Sequence, residues 1–185
     1  DGGIAIFQRD LHTGNLTFVG RGPNFTQGIE SIVVSEDGTK VYANSASFLL
    51  QYTRVPATGA LTLSAFATGS APGGLAVSHN GNLLYVVSEG DDNLRVVRTS
   101  DFSVRQVLAE GDLVTDMSGA SVFLAGLDGA SSVAVSGDDR IVYVTARNSN
   151  TITVFERAPG TDRLTLVETI ENGVNGVRGL AAASD

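Results

Sequence analysis

An all-β fold of four-stranded antiparallel blades is what this sequence predicts, on three observations: a repeat of about 45 residues, strand-period patterning inside each repeat, and turn residues at fixed offsets. The full copies read GIESIVVSEDGTKVYANSASFLLQYTRVPATGALTL, GLAVSHNGNLLYVVSEGDDNLRVVRTSDFSVRQVL and SSVAVSGDDRIVYVTARNSNTITVFERAPGTDRLTLV. The opening GGIAIFQRDLHTGNLTFV matches only the second half of the unit. Tyr42, Tyr85 and Tyr143 fall in register at spacings of 43 and 58 residues, and Phe7, Tyr52, Val97 and Phe155 at 45, 45 and 58. Both alignments place an insertion between Leu108 and Ser132.

Each unit opens on a short apolar run, Ile32 to Val34, Leu75 to Val77 or Val133 to Val135. Such a run is expected for a strand buried on both faces, the innermost of the blade. Glu36-Asp37-Gly38, His79-Asn80-Gly81 and Gly137-Asp138-Asp139 follow, residues that tolerate the positive φ of tight hairpins. Second strands are predicted at Lys40 to Ala43, Leu83 to Val87 and Ile141 to Thr145. The third alternates, as in Ile152-Thr153-Val154-Phe155-Glu156-Arg157, and turns through Leu11 to Asn15, Pro56 to Ala60 or Pro159 to Arg163. Leu61-Thr62-Leu63 and Leu164-Thr165-Leu166 close their units as fourth strands.

Four strands every 45 residues or so describes a β-propeller blade. A β-sandwich lacks that super-period, and a parallel β-helix repeats at roughly 20 to 25 residues. The inserted stretch Leu113 to Leu124 is rich in glycine and serine and reads as a loop. The expected organisation is one propeller segment over 1–185: a half-blade at 1–27, blades at 28–72, 73–128 with the inserted loop and 129–178, and a connection at 179–185. That is fourteen strands, about three and a half blades, whereas closed propellers have about four to eight. The strand from Gly3 to Phe7 would then lack its inner neighbour, and an uncovered edge templates aggregation. The expectation is therefore an incomplete propeller, covered by further blades of the same polypeptide or by a protein partner.

The SxDG turn, VYVT in a second strand, NTITVFER in a third and PATGALTL across an outer hairpin together resemble the YVTN-type, lactonase-like propeller repeats of bacterial proteins. The resemblance covers nearly the whole chain and is specific for the fold. It implies one possible activity, hydrolysis of a sugar lactone in the manner of a 6-phosphogluconolactonase. Fold alone does not carry that activity.

The 12 basic and 20 acidic residues leave a formal charge of −8, which opposes binding to nucleic acid and to anionic membranes. No apolar run approaches about 18 residues, so no membrane-spanning helix is expected. The absence of cysteine excludes disulfides and thiolate metal sites, and no cofactor is expected. That absence fits a bacterial exported protein as well as a cytosolic one; with the bacterial resemblance, the expected location is extracellular or periplasmic.

Candidate functional residues come from loop position. In propellers the loops from second to third strands share a face with the connections between blades. That face would carry Asn44, Ser45, Glu89, Asp91, Asp92, Arg147 and Asn148, with Asp112 and Asp116 from the insertion. Polar loops on a rigid scaffold suit binding, and a connection longer than about 12 to 15 residues is often functional. The acidic run Glu89 to Asn93 offers oxygens to a hard cation, although its spacing is that of no known loop and a solvated hairpin tip is the simpler reading. His12 and His79 both read as exposed turn residues, and Arg9, Arg54 and Arg157 recur at one position as a structural feature of the repeat. No catalytic residue is assigned.

Two functions remain open. One is a non-enzymatic module presenting loops for binding or assembly; the other is a lactone hydrolase. Inner strands almost wholly apolar, apart from Ser31, Ser35, Ser78, Ser132 and Ser136, favour the module.

Overall fold

The structure is a computed structural model and describes residues 3–23, 28–68, 73–171 and Gly179. The expected connection at 179–185 therefore lies outside the described residues, Gly179 apart, as does the end of the last blade beyond Glu171.

Three four-stranded antiparallel sheets follow one another, each with its strands in chain order. The second blade comprises β3 (Ile29–Val34), β4 (Lys40–Ser45), β5 (Phe48–Arg54) and β6 (Leu61–Thr68), and follows a half-blade of β1 (Ala5–Arg9) and β2 (Leu16–Arg21). The third comprises β7 (Leu75–Val77), β8 (Leu83–Ser88), β9 (Asn93–Arg98) and β10 (Val104–Ala109). The fourth comprises β13 (Ala130–Val135), β14 (Ile141–Ala146), β15 (Thr151–Arg157) and β16 (Leu164–Glu171). Between the third and fourth lies a hairpin of β11 (Leu113–Thr115) and β12 (Ser121–Phe123). That hairpin corrects the reading of the insertion as a loop: Leu113 pairs with Phe123 and Thr115 with Ser121 around the Asp116 turn. The described residues thus hold sixteen strands where fourteen were expected.

One turn design closes the inner hairpin of every blade. The Ser35 hydroxyl donates to Asp37 Oδ1 (2.6 Å) and accepts from the Lys40 amide (2.9 Å), while Asp37 accepts from the Thr39 amide (3.0 Å). Ser78 and Asn80 do the same with Leu83 and Asn82, and Ser136 and Asp138 with Ile141 and Arg140. The fourth turn residue has a positive φ in each: Gly38 (68°), Gly81 (73°) and Asp139 (59°). Its carbonyl accepts from the end of the third strand, from Arg54 Nη1 in the second blade, Thr99 Oγ1 in the third and Arg157 Nε in the fourth. Arg54 and Arg157 are thus turn clamps, and Thr99 takes that role in the third blade.

The core lies between blades. Leu83, Tyr85, Val87, Leu94 and Val96 of the third blade form one cluster with Val133, Val142, Val144 and Phe155 of the fourth. Leu124 and Leu127, from the insertion, are buried within it. The inner strand of the fourth blade is buried on both faces, as its sequence predicts. That of the second is not: Ile32 and Val34 are each 48% exposed, because they face the side where the half-blade supplies only two strands. Phe7 and Phe18 pair edge-to-face across β1 and β2 at 5.6 Å and remain half exposed.

Candidate functional site

The β8–β9 loop, the β14–β15 loop and the insertion meet where the third blade adjoins the fourth. The antiparallel topology sets them there: β8 and β14 run from the inner turns to this face, and β9 and β15 return. Across the seam, Arg147 Nη2 forms an ion pair with Glu89 Oε1, and both side chains are about a third exposed. Three residues on from Glu89, Asp92 adopts a left-handed φ of 49° and its Oδ1 accepts from the Gly129 amide at 2.7 Å. Asn148 donates through Nδ2 to Asp128 Oδ1 at 2.9 Å. Glu110 anchors the other end of the insertion by accepting from the Leu127 amide at 2.6 Å.

The remaining candidates are distributed more locally. Asp91 pairs with Arg95 at 2.9 Å within its own hairpin. Asp112 accepts from the Ala109 amide at 2.9 Å, and Asp116 closes the β11–β12 turn through Ser118 and Ala120. The hydroxyl of Ser118 and backbone amides of that turn hold the Asp116 carboxyl below its ordinary range. Asn44 and Ser45 are fully buried: Asn44 Nδ2 donates to the Gly73 carbonyl at 2.9 Å, and Ser45 Oγ donates to Phe48. They join blades and close a loop from within, and do not face solvent. The structure thus brings Glu89, Arg147, Asp92 and Asn148 together, and sets Asn44, Ser45, Asp112 and Asp116 apart from them.

His79 corrects its reading as an exposed turn residue. Asp139, 6% exposed, accepts from the His79 amide through Oδ1 (2.6 Å) and from the Asn80 amide through Oδ2 (3.1 Å), and its Oδ1 lies 3.4 Å from His79 Nδ1. The ring is about one third exposed. His12 stays in its outer turn, exposed, with its amide on Asp10 Oδ1. Sequence reasoning missed Asp139, Asp128 and Glu110 as inter-loop anchors; the only sequence signal was the aspartate at residue 139 where the other copies carry glycine. Among the described residues, no three His, Asp or Glu side chains gather as a metal site.

A family model described as "Lactonase, 7-bladed beta-propeller" matches residues 57–185. The chain belongs to that lactonase-type propeller family. The match spans the third and fourth blades, the seam between them and the loop face described above.

Solved structures share the fold at low identity. A Lactobacillus plantarum protein superposes with a TM-score of 0.71 at 20% identity, over 94% of this chain and 50% of its own. The Pseudomonas aeruginosa periplasmic gluconolactonase gives 0.67 at 19%, over 95% and 51%. Kuenenia stuttgartiensis hydrazine synthase gives 0.62 at 18%, over 83% and 39%. This lactonase-type chain spans about half the length of these structures, or less. No curated protein matches it in sequence. No helix among the described residues is long and apolar enough to cross a membrane.

Proposed function

We propose that the chain is part of a non-enzymatic propeller module of an exported bacterial protein, which presents the loop face at the third and fourth blades for binding. The observation that supports this reading is where the polar groups of that face go. Asp92, Asp128, Asn148 and Glu110 bond to neighbouring loops, and Glu89 and Arg147 bond to each other. The serines near the inner strands are likewise engaged: Ser35, Ser78 and Ser136 close turns, and Ser31 accepts from the Leu75 amide. Such a face is rigid and polar, suited to a complementary surface, and among the described residues its carboxylates are already engaged by neighbouring donors.

A second reading, hydrolysis of a sugar lactone, draws on family membership and on the Glu89–Arg147 pair. A carboxylate that activates water, beside a guanidinium that stabilises the developing oxyanion, is a chemically complete minimum for opening a lactone. The structural neighbours carry different named activities on one fold, so family membership alone does not choose. Hydrolysis of glucono-δ-lactone by the intact protein, followed by acid release, decides between the readings. The binding module predicts no turnover above the spontaneous rate; turnover lost on Glu89→Gln with Arg147→Ala establishes the hydrolase.

A further inference from the structure

The two seams between full blades differ at one repeat position. At the seam of the third and fourth blades, the fourth turn residue is Asp139, whose carboxylate accepts from two successive backbone amides of the preceding blade, His79 and Asn80. At the seam of the second and third blades, that position is Gly81 and the corresponding amides are those of Glu36 and Asp37. Among the described residues those two amides have no hydrogen-bond partner. A Cβ at Gly81 would meet nothing within 4 Å. The space left open is a cleft of about 440 Å³ lined by both turns and by Lys40, Gln51, Thr99 and Ser100.

We infer that this cleft is a binding site for a small hydroxycarboxylate, whose carboxylate takes the place on the Glu36 and Asp37 amides that Asp139 takes on those of His79 and Asn80. The protein supplies the template, since it already holds one carboxylate on two such amides at 2.6 and 3.1 Å. Paired backbone donors of this kind form anion-binding concavities. The cleft's charged groups are mixed. Lys40 lines it, with its ammonium 3.3 Å from Thr53 Oγ1, and His79 borders it while its Nδ1 lies 3.4 Å from Asp139 Oδ1 at the neighbouring seam. Glu36 opposes an anion, whereas the Asp37 carboxylate is turned into its own turn by Ser35 and Thr39. Gln51, Asn80, Thr39 and Ser100 offer donors and acceptors to the hydroxyl groups of the same ligand. The site lies at the opposite end of the strands from the Glu89–Arg147 face, so it does not depend on the function proposed for that face.

The test is a titration of the isotopically labelled full chain with sodium gluconate, read by the amide resonances of Glu36 and Asp37. Saturable shifts confined to this cleft are expected, with sodium acetate moving the same two amides more weakly. Gly81→Asp places an internal carboxylate in the cleft at a φ that aspartate adopts at residue 139, and should abolish both responses. Glu36→Gln removes the opposing charge and should tighten gluconate binding by about 2- to 10-fold. Glu36→Gln also keeps the test alive should the aspartate variant fold poorly. The inference is overturned if the two amides do not respond saturably, if glycerol produces the same shifts, if Gly81→Asp responds as the parent does, or if Glu36→Gln weakens binding.

Discussion

Gln106 of the third blade binds Leu164 of the fourth as though it were a neighbouring strand: Nε2 donates to the Leu164 carbonyl at 3.1 Å, and Oε1 accepts from the Leu164 amide at 2.7 Å. One side chain thus satisfies both backbone groups of a residue that starts an outer strand. Replacement by alanine should cost about 1 to 3 kcal/mol, the net worth of two hydrogen bonds together with the desolvation of those left unmade. Urea unfolding of the Gln106→Ala variant would show this as a lower midpoint with an unchanged slope.

Where blades approach most closely, no side chain fits. A Cβ on Gly74 would lie 2.8 Å from the Ser132 Cα of the fourth blade, and within the third blade one on Gly73 would lie 2.1 Å from the Val87 carbonyl oxygen. These neighbours are backbone and cannot rotate away. Gly74→Ala should therefore separate the third and fourth blades and destabilise by roughly 1 to 3 kcal/mol, in the range of other overpacked cores. A thermal melt compared with that of Gly90→Ala, at an exposed tip with nothing within 4 Å, isolates the packing effect.

Tyr85 is fully buried, and its hydroxyl has no hydrogen-bond partner among the described residues. Burial pushes its pKa up to about 12. An unpaired buried hydroxyl is a cost, so Tyr85→Phe is expected to be neutral or stabilising by up to about 1 kcal/mol. Spectrophotometric titration should show a phenol ionising at about pH 12 in the parent that Tyr85→Phe lacks.

The turn aspartates make stability depend on acid. The Ser35 hydroxyl, followed by the Thr39 amide, lowers the Asp37 pKa to about 2, and Asp138 is lowered in the same way by Ser136 and Arg140. A folded-state pKa below the unfolded one gives stability that is complete above the unfolded value near 3.9. That stability is lost as pH falls through the folded value. The parent should thus lose stability between about pH 4 and 2 more steeply than Asp37→Asn, measured by denaturant midpoints across that range.

The ion pair on the loop face should contribute little to stability. Glu89 and Arg147 are each about a third exposed, and pairs of this kind are worth about 0 to 1 kcal/mol. A double-mutant cycle of Glu89→Ala and Arg147→Ala is expected to leave the unfolding midpoint nearly unchanged, so any loss of binding in these variants reports on the face itself.

The blades were legible because their information is local. The apolar runs, the Ser-x-Asp turns and the register of Tyr42, Tyr85 and Tyr143 all lie within one repeat. The β11–β12 hairpin was not, since three residues on each side give too short an alternation to stand out from a glycine-rich loop. The seams were illegible for another reason. Asp139 reaches His79 across 60 positions and Arg98 reaches Asp162 across 64, and repeat spacing does not say which residues of adjacent units touch. Ile32 and Val34 show the converse: their composition is that of a doubly buried strand, but their burial depends on what stands beside the blade.

Repeated sequences carry a hazard during folding, because a strand that resembles its counterpart 45 residues away has two partners to choose from. The seams lessen it. The Asp139 carboxylate and the Arg98–Asp162–Arg105 cluster join only the third blade to the fourth, and the Asn44 amide with the Ser31 hydroxyl joins only the second to the third. Each of these two seams thus carries its own address, written in polar atoms that would be left unpaired against any other neighbour, with the Asp139 carboxylate and the Asn44 amide buried as well. The chain can then use one design repeatedly and still assemble in a single order.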